Sequence, residues 1–321
     1  MDVFFFEAFT EEVEAIKRFL PERIKAEFTW KTIQEYDPAE PPAPVISLRT
    51  QSIIPAQWSR DLCGILTRST GYDHLIRYRQ LTGTDVACGY LPLYCHRAVA
   101  EQALLLWMAL LRKLPRQVTS FASFHRDGLT GTEAAGKTLL VVGVGNIGSE
   151  IVKIGQGLGM TVFGVDLEHK HDFVDYVTIE EGLPHADIVV CAMNLTQDNQ
   201  GYFNCKTFAQ TRRGVLFVNV ARGELSPALD LQQMLESGQL GGIGLDVYNY
   251  ESELAVSLRC GAVSTNEEVQ AIEALAKRQD VIFTPHNAFN TYESVRRKAE
   301  QSVQQVENIL KHQAFLWPIP Q

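Results

Sequence analysis

Four short stretches of the chain put ligand-gripping or proton-carrying residue types directly after apolar, β-branched runs. The sharpest is "TLLVVGVGNIG", where Gly143, Gly145 and Gly148 form G-x-G-x-x-G between a strand signal and a helix signal. In that setting the first glycine allows a tight turn and the second lets a pyrophosphate approach the backbone. The third lets helix pack on strand. The helix that starts there offers unpaired N–H groups and its positive dipole end to phosphates. Asp166 closes the next strand signal, eighteen residues beyond Gly148. It is placed to accept hydrogen bonds from ribose hydroxyls, and its charge would repel a 2′-phosphate. A glycine triplet alone is also compatible with a structural turn. The flanking strand, helix and acid together predict dinucleotide binding, with NAD favoured over NADP.

The other three stretches are ambiguous one at a time. Arg222 follows the apolar run in "FVNVARGEL". A guanidinium there could grip a carboxylate with two parallel hydrogen bonds and polarise a neighbouring carbonyl. An arginine past a strand is more often a surface ion-pair residue. His286, in "VIFTPHNAFNT", could pass protons near neutral pH, or be a satisfied structural histidine. Asp246 and Glu251, in "GLDVYNYESE", read alone as solvated acids.

The elements that must position these residues follow from periodicity. Short strand signals alternate with helices in the first ninety residues: "VFFFEAF", "PVISLRT", "LCGILTRS" and "TDVACGY", with helical spacing over Glu11–Phe19. A second series runs from Lys137 through "TLLVVGVG", "TVFGVD", "ADIVVCAM", "GVLFVNV", "GIGLDV" and "VIFTP". Strand–helix alternation without repeated sequence predicts an α/β, doubly wound parallel architecture. Between the series, Arg97–Leu114 is apolar on nearly every face, which predicts one buried helix packed between domains or against a partner subunit. A long amphipathic helix follows Thr291, and the tail "AFLWPIPQ" is irregular and could pack on either domain.

Composition narrows the class. With 321 residues, two domains are the natural expectation. The net charge of −9 argues against nucleic acid or an anionic membrane as the main partner. No apolar run reaches the roughly 18–20 residues that cross a bilayer. The six cysteines form no C-x-x-C pair, which predicts reduced, buried thiols in a cytoplasmic protein, and the histidines make no metal-like cluster.

From Lys137 to Thr291 the chain resembles the D-isomer-specific 2-hydroxyacid dehydrogenase family, and it is closest to the D-lactate dehydrogenase branch. The resemblance runs in order through "GKTLLVVGVGNIG", "LTQDNQGYFN", "NVARGEL", "GGIGLDVY" and "FTPHNAFNT". Weaker likeness extends upstream to "RSTGYDHL", "LPLY" and "RAVAEQALLL". It implies reversible hydride transfer between NAD and C2 of a small 2-oxo or 2-hydroxy acid. Arg222 should hold the substrate and His286 should be the acid–base, with Glu251 hydrogen-bonded to it. Thr70 and Gly71 should bind the substrate carboxylate, and Tyr94 should line its pocket. Besides the three glycines and Asp166, the cofactor should meet Asn146, Ile147, Asn199, Val220, Ala221, Asp246 and His286.

The implied architecture is two Rossmann-like or flavodoxin-like domains. A substrate domain of residues 1–95 plus 292–321 would hold an inserted NAD domain of residues 96–291. The helix 97–114 would be the contact of a homodimer. The family's E-x-E-P reads Asn249-Tyr250-Glu251-Ser252 here, and Asn194 replaces its proline before "LT". The stretch 252–285 is slightly long. Two other readings share the fold. One is oxidation of phosphite or another oxyanion, and the other is an NAD-sensing, non-catalytic scaffold or corepressor.

Overall fold

The computed structural model describes residues 1–261 and 263–320. The chain divides into two compact units, Met1–Cys95 with Asn290–Gln321, and His96–Phe289. Each is built on a wholly parallel sheet.

The first unit contains β1 (Val3–Phe5), β2 (Ala26–Phe28), β3 (Val45–Leu48), β4 (Gly64–Thr67) and β5 (Ala87–Gly89), in the order β2-β1-β3-β4-β5. Strands β1, β3 and β4 are buried at every position, as expected for parallel strands covered on both faces. That is why they read as continuous apolar runs. Edge strand β2 is half-exposed, and its three residues give no such run. The strand order reverses between β1 and β3, which makes their carboxyl ends the switch point where sheets of this type take ligands. The tail belongs to this unit. Pro318 bridges Gly89 antiparallel, and a side chain on Gly89 would strike the Phe315 ring, its Cβ lying 2.4 Å from Cγ.

The second unit contains β6 (Thr138–Val142), β7 (Thr161–Val165), β8 (Asp175–Tyr176), β9 (Ile188–Cys191), β10 (Val215–Asn219), β11 (Leu240–Leu245) and β12 (Val281–Phe283). Their order is β12-β11-β10-β9-β6-β7-β8, with the reversal between β6 and β9. The stretch expected as one helix over 97–114 is broken. The helix runs from His96 to Leu111, Lys113 turns left-handed at φ 52°, and a second helix spans Leu114–Ser120. The cause is Pro115, which has no N–H to donate back to the preceding turn and so sits in the first turn of a new helix. The expectation of buried thiols holds for half the cysteines: Cys88, Cys95 and Cys191 are buried, while Cys63 and Cys260 are exposed and Cys205 is half-buried. All six are free.

The long stretch after Glu251 is mostly core material. The helix Glu267–Leu275 buries Val269, Ala271, Ile272 and Leu275. The Glu268 carboxylate accepts from the backbone N–H groups of Ala228 and Leu229 at 2.8 and 3.3 Å, closing the start of the helix Ala228–Glu236.

Candidate active site

All the singled-out residues of the second unit lie just past strand carboxyl ends. After β6, Gly143 adopts φ 90°, and a Cβ there would come within 2.5 Å of the Met193 backbone. A Cβ on Gly148 would sit 1.9 Å from the Gly143 carbonyl oxygen. Gly145 is different: a Cβ there would meet nothing within 4 Å. Two of the glycines therefore serve close packing of the turn, and the third keeps open space over the backbone. Gly145 and Asn146 are exposed at the N-terminus of the helix Asn146–Gly157, and Ile147 is half-buried behind them. Asp166, after β7, is fixed by the glycine turn and by its own loop. Its carboxylate accepts from Val144 N at 2.6 Å and Glu168 N at 3.1 Å. This set fits a dinucleotide: an open glycine over phosphate-facing N–H groups, and a half-buried acid one strand away.

After β10, fully buried Asn219 shapes the turn. Its amide donates to Arg222 O at 2.9 Å and Ser226 Oγ at 2.8 Å, and its carbonyl accepts from Ala221 N at 2.9 Å. Val220 is buried, and Ala221 and Arg222 are half-buried. Arg222 is extended, with one guanidinium nitrogen donating to Ala221 O at 2.8 Å. Next to it, Gly223 presses on the end of β11, where a Cβ would lie 1.8 Å from the Tyr248 carbonyl carbon. Only glycine lets the Arg222 turn lie against the backbone that leads into Glu251.

Glu251 opens the helix Glu251–Cys260, and His286 follows β12 and Pro285. The two side chains meet: His286 Nδ1 lies 2.9 Å from both Glu251 carboxylate oxygens, each side chain about 20% exposed. His286 has φ 50°, a left-handed backbone that costs energy in a β-carbon residue and must be held by its surroundings. Asp246 holds it. This buried carboxylate accepts from Thr284 Oγ1 at 2.6 Å, Asn287 N at 2.9 Å and Ala288 N at 2.8 Å. Burial pushes its carboxyl pKa up, against the pull of those hydrogen bonds. The Tyr248 hydroxyl donates within reach of Thr284 O and Leu245 O, at 2.8 and 3.1 Å, on the other side of the same loop.

Sequence reasoning missed this supporting set of Asn219, Gly223, Tyr248 and Thr284. The one signal for Asn219 was a polar residue closing an otherwise apolar strand. Two expected cofactor residues spend their side chains elsewhere. Both oxygens of Asp246 go to the His286 loop. Asn199 accepts from Thr196 N and donates to Asn194 O, both at 2.8 Å, within its own loop.

In the first unit, Thr70 and Gly71 follow β4. The Thr70 hydroxyl lies 3.3 Å from both Leu91 O and Cys95 Sγ, and Ser69 Oγ donates to Gly71 O at 2.7 Å. Tyr94 is buried, with its carbonyl taking Arg297 Nε–H at 2.9 Å.

Residues 104–288 match the model of the D-isomer specific 2-hydroxyacid dehydrogenase family, NAD binding domain. The chain belongs to that family. It is an NAD-dependent oxidoreductase, with the cofactor taken by the glycine-turn unit. D-lactate dehydrogenase of Escherichia coli (strain K12) is 31% identical over 230 residues, 69% of this chain and 68% of that one. Aromatic 2-oxoacid reductase of Clostridium sporogenes is 29% identical over 247 residues, 74% of this chain and 73% of its own. In fold, the chain is similar to D-lactate dehydrogenase from Aquifex aeolicus complexed with NAD and lactic acid. The TM-score is 0.84 and the identity 24%, over 97% of this chain and 96% of that one. D-2-hydroxyisocaproate dehydrogenase superimposes with TM-score 0.83 at 21% identity, over 99% of each chain. Among the described residues no helix is long and apolar enough to cross a membrane.

Proposed function

We propose that the enzyme interconverts a small 2-oxo acid and its D-2-hydroxy acid, with His286 as the acid–base, Glu251 orienting it and Arg222 holding the substrate. The observation that carries this is the His286–Glu251 pair at 2.9 Å on a left-handed loop clamped by Asp246. With Nδ1–H donating to the carboxylate, Nε2 is the nitrogen left to exchange a proton with substrate. In reduction, Nε2–H gives its proton to the C2 oxygen. Arg222 grips the carboxylate and draws electron density from the oxo group. Thr70 and Gly71 offer backbone N–H groups to the carboxylate, and Tyr94 bounds the pocket. When bound, NADH would supply the hydride that C2 receives, and NAD+ would take it in the reverse direction. Lactate, named in the Aquifex complex, is the simplest acid of the class.

His286→Ala should lower turnover of pyruvate by about 10²–10⁴-fold, the span general acid–base groups contribute, while NADH binding followed by fluorescence persists. Wild-type protein that binds NADH yet turns over no 2-oxo acid of a broad panel would sink the proposal. The six free thiols support residence in a reducing cytoplasm.

We also infer a homodimer through the helix 97–114 and its continuation. Leu105, Val118, Phe121 and Phe124 expose 54–76% of their surface along it, more apolar area than a free helix face comfortably carries. Sedimentation should give a dimer for the wild type and a monomer for Phe121→Glu. A monomeric wild type would refute the contact.

A further inference from the structure

Resting on that dehydrogenase reading, we propose that Gln102 is a positioning residue for His286. From the helix His96–Leu111 it directs the Thr284 hydroxyl onto Asp246, the carboxylate that clamps the His286 loop. Glycines in β11 bring the helix within reach. A Cβ on Gly244 would lie 3.0 Å from Leu106 Cβ, and one on Gly242 would lie 3.1 Å from Leu110 Cδ2. Two strand residues rise about 6.6 Å and four helix residues about 6 Å, so helix and strand pass each other in near register, running opposite ways. Leu110 lies on Gly242 and Leu106 on Gly244. The next step of that register brings Gln102 level with Asp246, at the end of β11 and beside the end of β12. Gln102 is half-buried and is followed by nine apolar residues, so its amide needs a partner there, and that partner is Thr284.

The contact decides where one proton points. A threonine hydroxyl has a single proton and two lone pairs. Gln102 Nε2–H donates to Thr284 Oγ1 at 3.3 Å, and Thr284 Oγ1 lies 2.6 Å from Asp246 Oδ1. With an incoming donor on one side, the hydroxyl gives its proton to the carboxylate on the other. Asp246 thereby gains a third donor beside the N–H groups of Asn287 and Ala288. Burial works against its charge, and those three hydrogen bonds and the neighbouring His286 work for it. The Thr284 backbone is held as well: its carbonyl accepts from Tyr248 Oη at 2.8 Å and from His286 N at 2.9 Å. A hydroxyl turned the other way would aim a lone pair at Asp246 from 2.6 Å. The carboxylate would then take up a proton or draw back, and either change loosens the N–H groups that set His286 at φ 50°. Gln102 thus acts on the acid–base through Thr284 and Asp246, without touching it.

The test is a double-mutant cycle read in initial rates, with NADH and pyruvate or whichever acid of a broad 2-oxo panel reacts fastest. Gln102→Leu removes the donor and keeps the bulk. It should lower kcat about 3- to 10-fold, the size of one neutral hydrogen bond, with KM for the acid within about twofold. Gln102→Glu keeps the shape but offers Thr284 a rival acceptor, and should lower kcat further. Thr284→Val should cost about 10-fold or more, and Thr284→Ser, which keeps the hydroxyl, should recover most of it. In the Thr284→Val protein Gln102→Leu should have no further effect, because no hydroxyl is left to direct. An unchanged kcat in Gln102→Leu, or the same loss with and without the Thr284 hydroxyl, would overturn the assignment while the dehydrogenase reading stands. A wild type that reduces no 2-oxo acid would bring down both.

Discussion

Each unit carries one buried or half-buried ionic cluster at the carboxyl edge of its sheet, and the two are built on opposite plans. In the second unit Glu251 meets His286, both side chains keep a fifth of their surface exposed, and buried Asp246 is spent on hydroxyl and N–H donors. In the first unit Glu12 faces two cations with no exposed surface at all. A partly exposed pair can exchange protons with water or with a ligand that comes to it. A sealed cluster cannot, and it acts on its surroundings through packing and through the field of its charges. The plan of the second unit suits the proton transfer proposed for it, and that of the first suits holding the fold together.

Neutralising the central acid of each cluster separates the plans most sharply. Glu12→Gln leaves Arg68 and Lys298 buried without their anion and should cost about 3–5 kcal/mol of stability in urea titrations, the range for breaking a buried ion pair. Asp246→Asn keeps the shape but turns an amide N–H toward the Asn287 or Ala288 donor. It should cost about 1–3 kcal/mol, as for a buried donor left unpaired. It should also lower kcat, because it frees the loop that sets His286 at φ 50°. Equal losses, or an Asp246→Asn protein with unchanged kcat, would break the contrast.

The unequal legibility of the two clusters has the same root. Gly143, Arg222 and His286 stand within three residues of a strand end and Glu251 six past one, so their setting can be read locally from the apolar run before each. The alternating elements likewise announced both parallel sheets, except half-exposed β2 and two-residue β8, whose short runs carry no periodicity. Glu12 and Lys298 sit on amphipathic helices, Thr10–Phe19 and Tyr292–His312, among other charged residues. Nothing local distinguishes Glu12 from exposed Glu11, or Lys298 from exposed Arg296. Their pairing spans 286 residues and exists only once the sheet is assembled. The break at Lys113 was legible in Pro115, but the apolar run before it outweighed it.

The smallest effect is also the most specific to the sealed cluster. Glu12, held by Arg68 and Lys298 against the cost of burial, has its pKa lowered to about 2. Its contribution to stability is present above the ordinary carboxylate range and is lost only as pH falls toward 2. Lys298 has the opposite consequence. Its folded pKa of about 7 lies below the ordinary 10.5, so between those values the unfolded chain binds a proton that the folded chain does not. Stability attributable to Lys298 must therefore rise with pH across that window, and below pH 7 the folded protein bears the full cost of the buried charge. Burial raises the thiols of Cys88 and Cys191 to about 11 and 12, and these work in the opposite direction once unfolded thiols ionise near pH 9. The clean interval is thus pH 7 to 8.5. There the wild type should gain on the order of 1 kcal/mol in urea titrations. Lys298→Met, which keeps the apolar stem and leaves Glu12 paired with Arg68, should lose that slope. A slope that survives the substitution would mean that another group, and not the sealed Lys298, sets the pH dependence of stability in this interval.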